Sequence, residues 1–194
     1  MYRPKDPIIW EITKIKGSRF IAHAASVFSA KEAKDFLVAT SKSSPNANHY
    51  CFAYKLKEGN FRISDAGEPR GSAGFPILQR IESNNLMATI VVVCRYFGGT
   101  KLGIGGLIRA YGQAASEVLK QSNLIEMIPV VSLSFAYDYV DSGAVLSVLA
   151  MYNPQKLDHK YGERIEMEVA IPIEFREVFC LQLRERTRGR IIQI

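Results

Sequence analysis

The stretch TIVVVCRYFGGTKLGIGGLIRAYGQA, residues 89–114, decides the fold of the first part of the chain. It opens on an apolar run with few polar interruptions, which predicts a buried central strand. Five of the fourteen glycines then fall in the nine positions 98–106 and predict a loop. Apolar residues next recur at helical spacing, so we expect a helix over 107–120 that packs against the sheet.

Cations flank this glycine-rich loop. Arg95 precedes it, Lys101 lies within it, and Arg109 follows on the outward face of the predicted first helical turn. A helix start carries partial positive charge and free N–H groups, so a bound anion would relieve the conflict that a cation creates there. Three glycines would let a phosphate approach the backbone closely, namely Gly103, Gly105 and Gly106. The alternative is that these glycines serve only tight turns and close packing.

Composition indicates a globular protein with an uneven charge distribution. The formal net charge is +6, with 17 Lys and Arg against 10 Asp and Glu in residues 1–128, and 8 against 9 in residues 129–194. This asymmetry predicts a first domain that faces a polyanion. The longest uncharged apolar run, residues 88–94, is far shorter than the roughly 18 residues of a membrane span, so no membrane association is expected.

Known nucleotide and disulfide motifs do not fit the chain. The glycine spacing matches neither a Walker loop, which needs G-x-x-x-x-G-K-[ST], nor a G-x-G-x-x-G fingerprint, so no cofactor is expected. The three cysteines are odd in number and widely separated, which indicates neither a disulfide framework nor a zinc site. A cytoplasmic location is the expectation.

A second turn-rich segment, SDAGEPRGSAGFP, residues 64–76, carries Asp65, Glu68 and Arg70. Two carboxylates are too few ligands for a convincing cation site, so no metal is predicted and turn capping or ion pairing is favoured. His49 begins a predicted strand without an identifiable nucleophile nearby, which makes general-base catalysis the weaker interpretation. Aromatic residues in predicted strands are expected to pack in the core rather than stack on bases; they are Trp10, Phe20, Phe52 and Phe61.

The pattern changes from helical to alternating after Ser122, which indicates two domains, 1–125 and 130–194. The first is predicted to be one α+β domain. In the second, VVSLSFAYDY, QKLDHKY, RIEMEVAIPI and RIIQI read as strands, and helices are expected after the first and third of them. That βαββαβ order predicts a ferredoxin-like fold.

Three sequence blocks resemble the IMPACT/YigZ family: ANHYCFAYKL, SDAGEPRGSAGFPIL and VVVCRYFGGTKLGIGGLIRAYGQA. The resemblance covers most of residues 15–120 and implies a ribosomal protein S5 domain 2-like first domain, with a second domain similar to domain V of elongation factor G. It also implies a link to translation, because eukaryotic members regulate initiation through a kinase pathway. The partner-binding RWD domain of those members is not expected here, since the resemblance begins near residue 15.

Two departures from the family pattern bear on the site. Ala66 replaces the second Asp of the family's DDGEP phrase, which weakens a metal hypothesis, and Arg70 stands where small residues are common, which favours an anion.

Three function classes remain open from the sequence. The favoured one is a translation-associated regulator that binds RNA or a ribosome-linked surface through Arg70, Arg95, Lys101, Gly103, Gly105, Gly106 and Arg109. The second is an enzyme acting on a phosphorylated small molecule through a polar set that includes His49, Asp65 and Glu68, although a non-enzymatic role is favoured. The third is a regulator that binds a protein partner in translation control without contacting nucleic acid.

Overall fold

The computed structural model describes residues 1–154 and 156–193, and the chain forms two compact units. The first unit is Met1–Met127, and the second begins at Ile128. Both combine helices with antiparallel sheets, so the predicted two-domain α+β fold is confirmed.

The first unit is built on a five-stranded antiparallel sheet in the order β2-β3-β6-β4-β5, and β1 pairs with β7 in a separate two-stranded sheet. Its elements are β1 (Tyr2–Pro4), β2 (Ile8–Glu11), β3 (Arg19–Ser26), α1 (Ala30–Ser43), β4 (His49–Lys55), β5 (Phe61–Ser64), α2 (Gly74–Ser83), β6 (Thr89–Tyr96), α3 (Ile104–Gln121) and β7 (Leu124–Glu126). The predicted central strand is therefore β6.

Strand β6 is buried on both sides because helices cover both faces of the sheet. Val91 and Val93 lie in the core cluster with α2 and α3, whereas Val92 and Cys94 pack in the cluster that contains α1. Successive side chains of a strand point to opposite faces, so both faces of β6 must be apolar. Arg95 continues the alternation of Val91 and Val93 and points toward the α3 side.

The glycine-rich loop differs from the prediction at its end. Helix α3 begins at Ile104 rather than Leu107, so Gly105 and Gly106 belong to its first turn. Gly103 is the N-cap with φ of +73°, a left-handed conformation that glycine adopts without steric cost. Earlier in the loop, a Cβ on Gly98 would lie 2.0 Å from the carbonyl carbon of Gly17, so close backbone packing requires glycine there.

The second unit has the element order β8 (Val130–Tyr137), α4 (Ser142–Tyr152), β9 (Lys156–Tyr161), β10 (Ile165–Pro172), α5 (Arg176–Arg186) and β11 (Ile192–Gln193). Its sheet order, β11-β8-β10-β9, is the ferredoxin-like arrangement that the βαββαβ pattern predicted. Gln155, at the start of the predicted QKLDHKY strand, and Ile194, at the end of RIIQI, lie outside the described residues.

The prediction that aromatic strand residues pack in the core holds for Phe20, which is fully buried. It is wrong for Trp10 and Phe61, which are 40% and 57% exposed. Both lie on the outermost strands of the five-stranded sheet, β2 and β5, where the helices do not cover every side chain.

Candidate ligand-binding cleft

The sheet places His49 and Arg95 side by side. The register of β4 and β6 pairs these two residues directly, although they are far apart in the sequence. The next pair along the same face is Cys51 with Val93, both in the core cluster under α2 and α3. His49 and Arg95 therefore project from the edge of this core toward the start of α3.

A cavity of about 510 Å³ lies over this pair. Its walls come from the start of β4, the turn after β5, the end of β6 and the first turns of α3, and they consist of Asn48, His49, Glu68, Pro69, Arg95, Phe97, Lys101, Leu102, Gly103, Ile104 and Leu107. A cavity of about 430 Å³ in the second unit is lined mainly by side chains of β8 and α5. Five of the candidate residues line the first cavity, namely His49, Glu68, Arg95, Lys101 and Gly103, whereas Asp65, Arg70, Gly105, Gly106 and Arg109 do not.

Asp65 holds the turn that carries Glu68. Its carboxylate accepts hydrogen bonds from the backbone N–H groups of Gly71, Ala73 and Gly74, at 2.8, 3.0 and 2.9 Å. Burial alone would raise the pKa of Asp65, but these donors outweigh it and lower the pKa below its ordinary value. Asp65 therefore caps the start of α2, as the turn-capping interpretation predicted.

Glu68 is a buried carboxylate with two strong donors. Its Oε1 accepts hydrogen bonds from Nη1 of Arg95 at 2.6 Å and from the hydroxyl of Tyr111 at 2.7 Å. The Glu68 and Arg95 side chains are 4% and 5% exposed, so this ion pair is almost completely removed from solvent. Burial, with further contributions from Cys51 and Glu68, raises the pKa of Tyr111, which keeps its hydroxyl protonated and donating.

Arg95 is not the surface cation that its place beside the glycine-rich loop suggested. Its guanidinium lies near the rings of Phe20 and Phe97, with its central carbon 5.6 and 5.5 Å from the two centroids. Nη2 contacts the Ser18 hydroxyl at 3.4 Å. Nε is buried and has no hydrogen-bond partner among residues 1–154 and 156–193. Arg95 thus forms part of the cavity floor, and its charge is largely offset by Glu68.

One ring nitrogen of His49 contacts the backbone of the DAGEP turn. Its Nδ1 lies 2.9 Å from the carbonyl oxygen of Ala66, and a carbonyl can only accept, so Nδ1 carries the hydrogen. Nε2 lies 3.9 Å from Oε1 of Glu68. Ala66, where the family pattern has Asp, adopts φ of +44°, a left-handed conformation in which Asp is more common than Ala.

The predicted phosphate contacts lie at the mouth of the cavity or just outside it. Lys101 is exposed and lines the mouth next to Gly103. Arg109 is exposed and falls in the second turn of α3, because that helix begins earlier than predicted. A Cβ on Gly105 would lie 3.9 Å from Nη1 of Arg109, so the guanidinium folds back beside the first turn. Arg70 is exposed directly after the cavity-lining Pro69.

Two contributors escaped prediction as site residues. Tyr111 packs in the core between α3 and the sheet, and nothing in its helical spacing indicated that its hydroxyl binds Glu68. Cys51 lies beneath His49 and donates its S–H to the Asp65 carbonyl at 3.0 Å. Burial raises the pKa of Cys51 to about 12, so this thiol is not an activated nucleophile.

The described part of the chain contains no group of three or more His, Cys, Asp and Glu side chains arranged to hold a metal ion. The Asp65 carboxylate is engaged by backbone donors, and the Glu68 carboxylate at the cavity is engaged by Arg95 and Tyr111. Among the helices of residues 1–154 and 156–193, none combines the length and apolar character required to cross a membrane.

Comparison with known proteins finds a matching family model for part of each unit. A family model described as the Impact N-terminal domain matches residues 16–119, and one described as a domain of unknown function, DUF1949, matches residues 135–190. The chain is 35% identical to "IMPACT family member YvyE" of Bacillus subtilis over 178 residues, which is 91% of this chain and 82% of that protein. It is 37% identical to "IMPACT family member in pol 5'region" of Thermus thermophilus, over 91% and 97% of the two chains.

A solved structure described as that of a hypothetical protein has the same overall fold. It aligns with a TM-score of 0.77 and 27% identity, over 100% of this chain and 95% of the other.

Proposed function

The chain belongs to the IMPACT family, and on that premise we propose that it is a translation-associated regulator that binds RNA, free or in the ribosome, at the mouth of the cleft. The link to translation follows from the role that the family resemblance implies. The site is the surface formed by Lys101, Gly103 and Arg109, with Arg70 beside it. This surface is called the basic rim below.

The observation that carries the proposal is the convergence of Lys101 and Arg109 on an uncapped helix start. The first turn of α3 contains no acidic residue, and its N-cap, Gly103, offers no side-chain acceptor. Its N–H groups and partial positive charge therefore add to the two side-chain cations. Among residues 1–154 and 156–193, no carboxylate forms an ion pair with Arg70, Lys101 or Arg109. A phosphate backbone supplies the missing negative charge.

The charge distribution supports the same proposal. The excess of Lys and Arg lies in residues 1–128, whereas residues 129–194 carry one more acidic than basic residue. Arg95 contributes little to this surface, because it is buried against Glu68. The phosphate contacts are therefore assigned to side chains outside the cavity floor.

The test is RNA binding by the full chain, measured by fluorescence anisotropy at several salt concentrations. Replacing Lys101 and Arg109 together by Ala should weaken binding and flatten the slope of log K against log[salt] by roughly 1 to 2, about 0.7 to 0.9 per lost contact. The matched control is Lys34→Ala with Lys42→Ala. It removes the same charge from exposed positions on α1, which packs on the opposite face of the sheet.

Equal slopes of log K against log[salt] for the two double variants would contradict the assignment of the phosphate contacts to the basic rim. Failure of the unmodified chain to bind RNA or ribosomes would contradict the function itself and favour the protein-partner alternative.

The enzyme alternative has one observation in its favour, the position of the His49 imidazole at the cavity with its Nε2 in no hydrogen bond to the described residues. Such an atom can act as a general base. The nearby thiol of Cys51 is held protonated by burial, which raises its pKa to about 12, and the Glu68 carboxylate is already engaged by two donors. The arrangement therefore supports ligand binding more directly than nucleophilic catalysis.

A further inference from the structure

The floor of the cavity combines donor and acceptor atoms with little net charge. Glu68 and Arg95 offset one another, and Tyr111 and Cys51 are kept protonated by burial, which raises the pKa of each. All recorded contacts to the Glu68 carboxylate go to Oε1, so among the described residues Oε2 accepts no hydrogen bond. His49 Nε2 makes no hydrogen bond to the described residues, and the Nε–H of Arg95 is a buried donor without a partner among them. A ligand end that matches this floor is uncharged and carries both N–H and carbonyl or ring-nitrogen groups.

The unpaired Nε of Arg95 is an independent indication of a ligand. Arg95 lines the cavity with a side chain that is 5% exposed, and a buried donor without a partner destabilises a folded protein. Phe97 lies near the guanidinium, lines the cavity and is 48% exposed. The remaining walls are largely apolar and suit a flat ring; they are Pro69, Leu102, Ile104 and Leu107.

The mouth of the cavity has the opposite character from its floor. Lys101 and the first turn of α3 present positive charge at the same opening. A matching ligand therefore has a neutral, flat, hydrogen-bonding end and an anionic end. The cavity volume of about 510 Å³ lies in the range of roughly 300 to 1,000 Å³ typical of small-molecule sites.

We propose that the cleft binds a nucleoside monophosphate unit, with its base in the cavity and its phosphate at the mouth beside Lys101 and the first turn of α3. This inference rests on the proposed function, because it makes the basic rim the phosphate contact of an unpaired nucleotide in an RNA chain. A free mononucleotide offers the same chemistry, and the experiment separates the two sources. Phe97 supplies an aromatic face on which the base stacks.

The decisive variant narrows the cavity and leaves the core and the Lys101 and Arg109 side chains unchanged. Ile104 lines the cavity and is 59% exposed, so Ile104→Trp adds bulk at the opening without displacing packed side chains. Ile108→Trp is the matched control, because Ile108 is 41% exposed one turn further along α3 and is not among the lining residues. Thermal unfolding of both variants checks that the fold is retained.

The probes are a single-stranded hexanucleotide RNA, the same strand in a duplex, the same strand with abasic positions, and the four 5′-mononucleotides, all titrated against the full chain. Ile104→Trp should weaken single-strand binding about 10-fold or more, the order of one lost base-stacking contact, and Ile108→Trp should leave it within about twofold. Duplex and abasic RNA should bind more weakly than the intact single strand and respond equally to both variants.

The outcomes separate this inference from the proposed function. RNA binding that depends on Lys101 and Arg109 but is identical for Ile104→Trp and Ile108→Trp would refute the nucleotide site in the cavity. It would leave the basic rim as the RNA-binding surface. If free mononucleotides bind and Ile104→Trp abolishes their binding while RNA does not bind, the cleft is a nucleotide site and the RNA function is wrong. If neither RNA nor mononucleotides bind, both are wrong.

Discussion

Nη1 of Arg95 lies 2.6 Å from Oε1 of Glu68, and both side chains are at least 95% buried. These residues come from a strand and from a turn 27 positions earlier in the chain. The pair ties the DAGEP segment to the central strand and forms the floor of the cleft. A buried charge without its partner destabilises the folded protein, so the fold requires Glu68 and Arg95 together.

Removing Glu68 should therefore be strongly destabilising. We expect Glu68→Ala to lower the free energy of unfolding by about 3 to 5 kcal/mol, because it leaves the Arg95 guanidinium buried and uncompensated. Urea denaturation followed by the fluorescence of Trp10 measures this loss. The control is Glu11→Ala, which breaks a solvent-exposed pair with Arg19 and should cost far less. Similar losses for the two variants would show that burial does not govern the Glu68 contact.

The Asp65 cap should give stability that depends on pH. Because the folded-state pKa of Asp65 is lowered, its contribution is present above the unfolded pKa of about 3.9 and is lost as pH falls through the folded value. We expect Asp65→Ala to cost about 2 kcal/mol at pH 7, the upper end for a helix-capping carboxylate. The difference between the two proteins should shrink below about pH 4. Urea titrations from pH 7 to pH 3 measure it, and a constant difference would refute the cap.

The three cysteines should differ in reactivity. Burial raises the pKa of Cys51 to about 12 and that of Cys94 to about 11, whereas Cys180 is partly exposed. A chromogenic disulfide reagent releases one chromophore for each thiol that it modifies. At pH 8 we expect it to modify one thiol of the native protein rapidly and all three thiols of the unfolded protein. Cys180→Ser should abolish the fast phase. Rapid modification of Cys51 in the folded protein would overturn the assignment of its thiol as inert.

Limited proteolysis should cut between the two units. Strand β7 pairs with β1, and the N–H of Met127 donates to the carbonyl of Met1, so the most susceptible bonds are expected just after Met127. Subtilisin should release a basic fragment of about 127 residues and a nearly neutral one, identified by mass spectrometry. A dominant first cut at the β9–β10 turn, near Gly162, would place the weakest point inside the second unit instead.

Local patterns were sufficient to predict much of the fold. The apolar run in residues 89–94 predicted the buried central strand. Helices cover both faces of this strand, so the side chains on both faces are buried and are mostly apolar. Alternation and helical spacing gave the βαββαβ order of the second unit. The start of α3 was misplaced by three residues, because Gly105 and Gly106 read as loop but are tolerated in the first turn of a helix.

The sequence by itself determined which residues form the cleft, because they come from three blocks that the family resemblance had singled out, and the counts place the chain's excess positive charge in residues 1–128. Only the tertiary structure decided the role of each side chain. Arg95 reads as a free cation beside a glycine-rich loop, yet the register of β4 and β6 sets it opposite His49 and under Glu68, where burial makes it a structural partner. The contact between Tyr111 and Glu68 likewise joins residues 43 positions apart. Periodicity specifies which face a side chain occupies, but strand register and helix packing decide which distant residue it meets there.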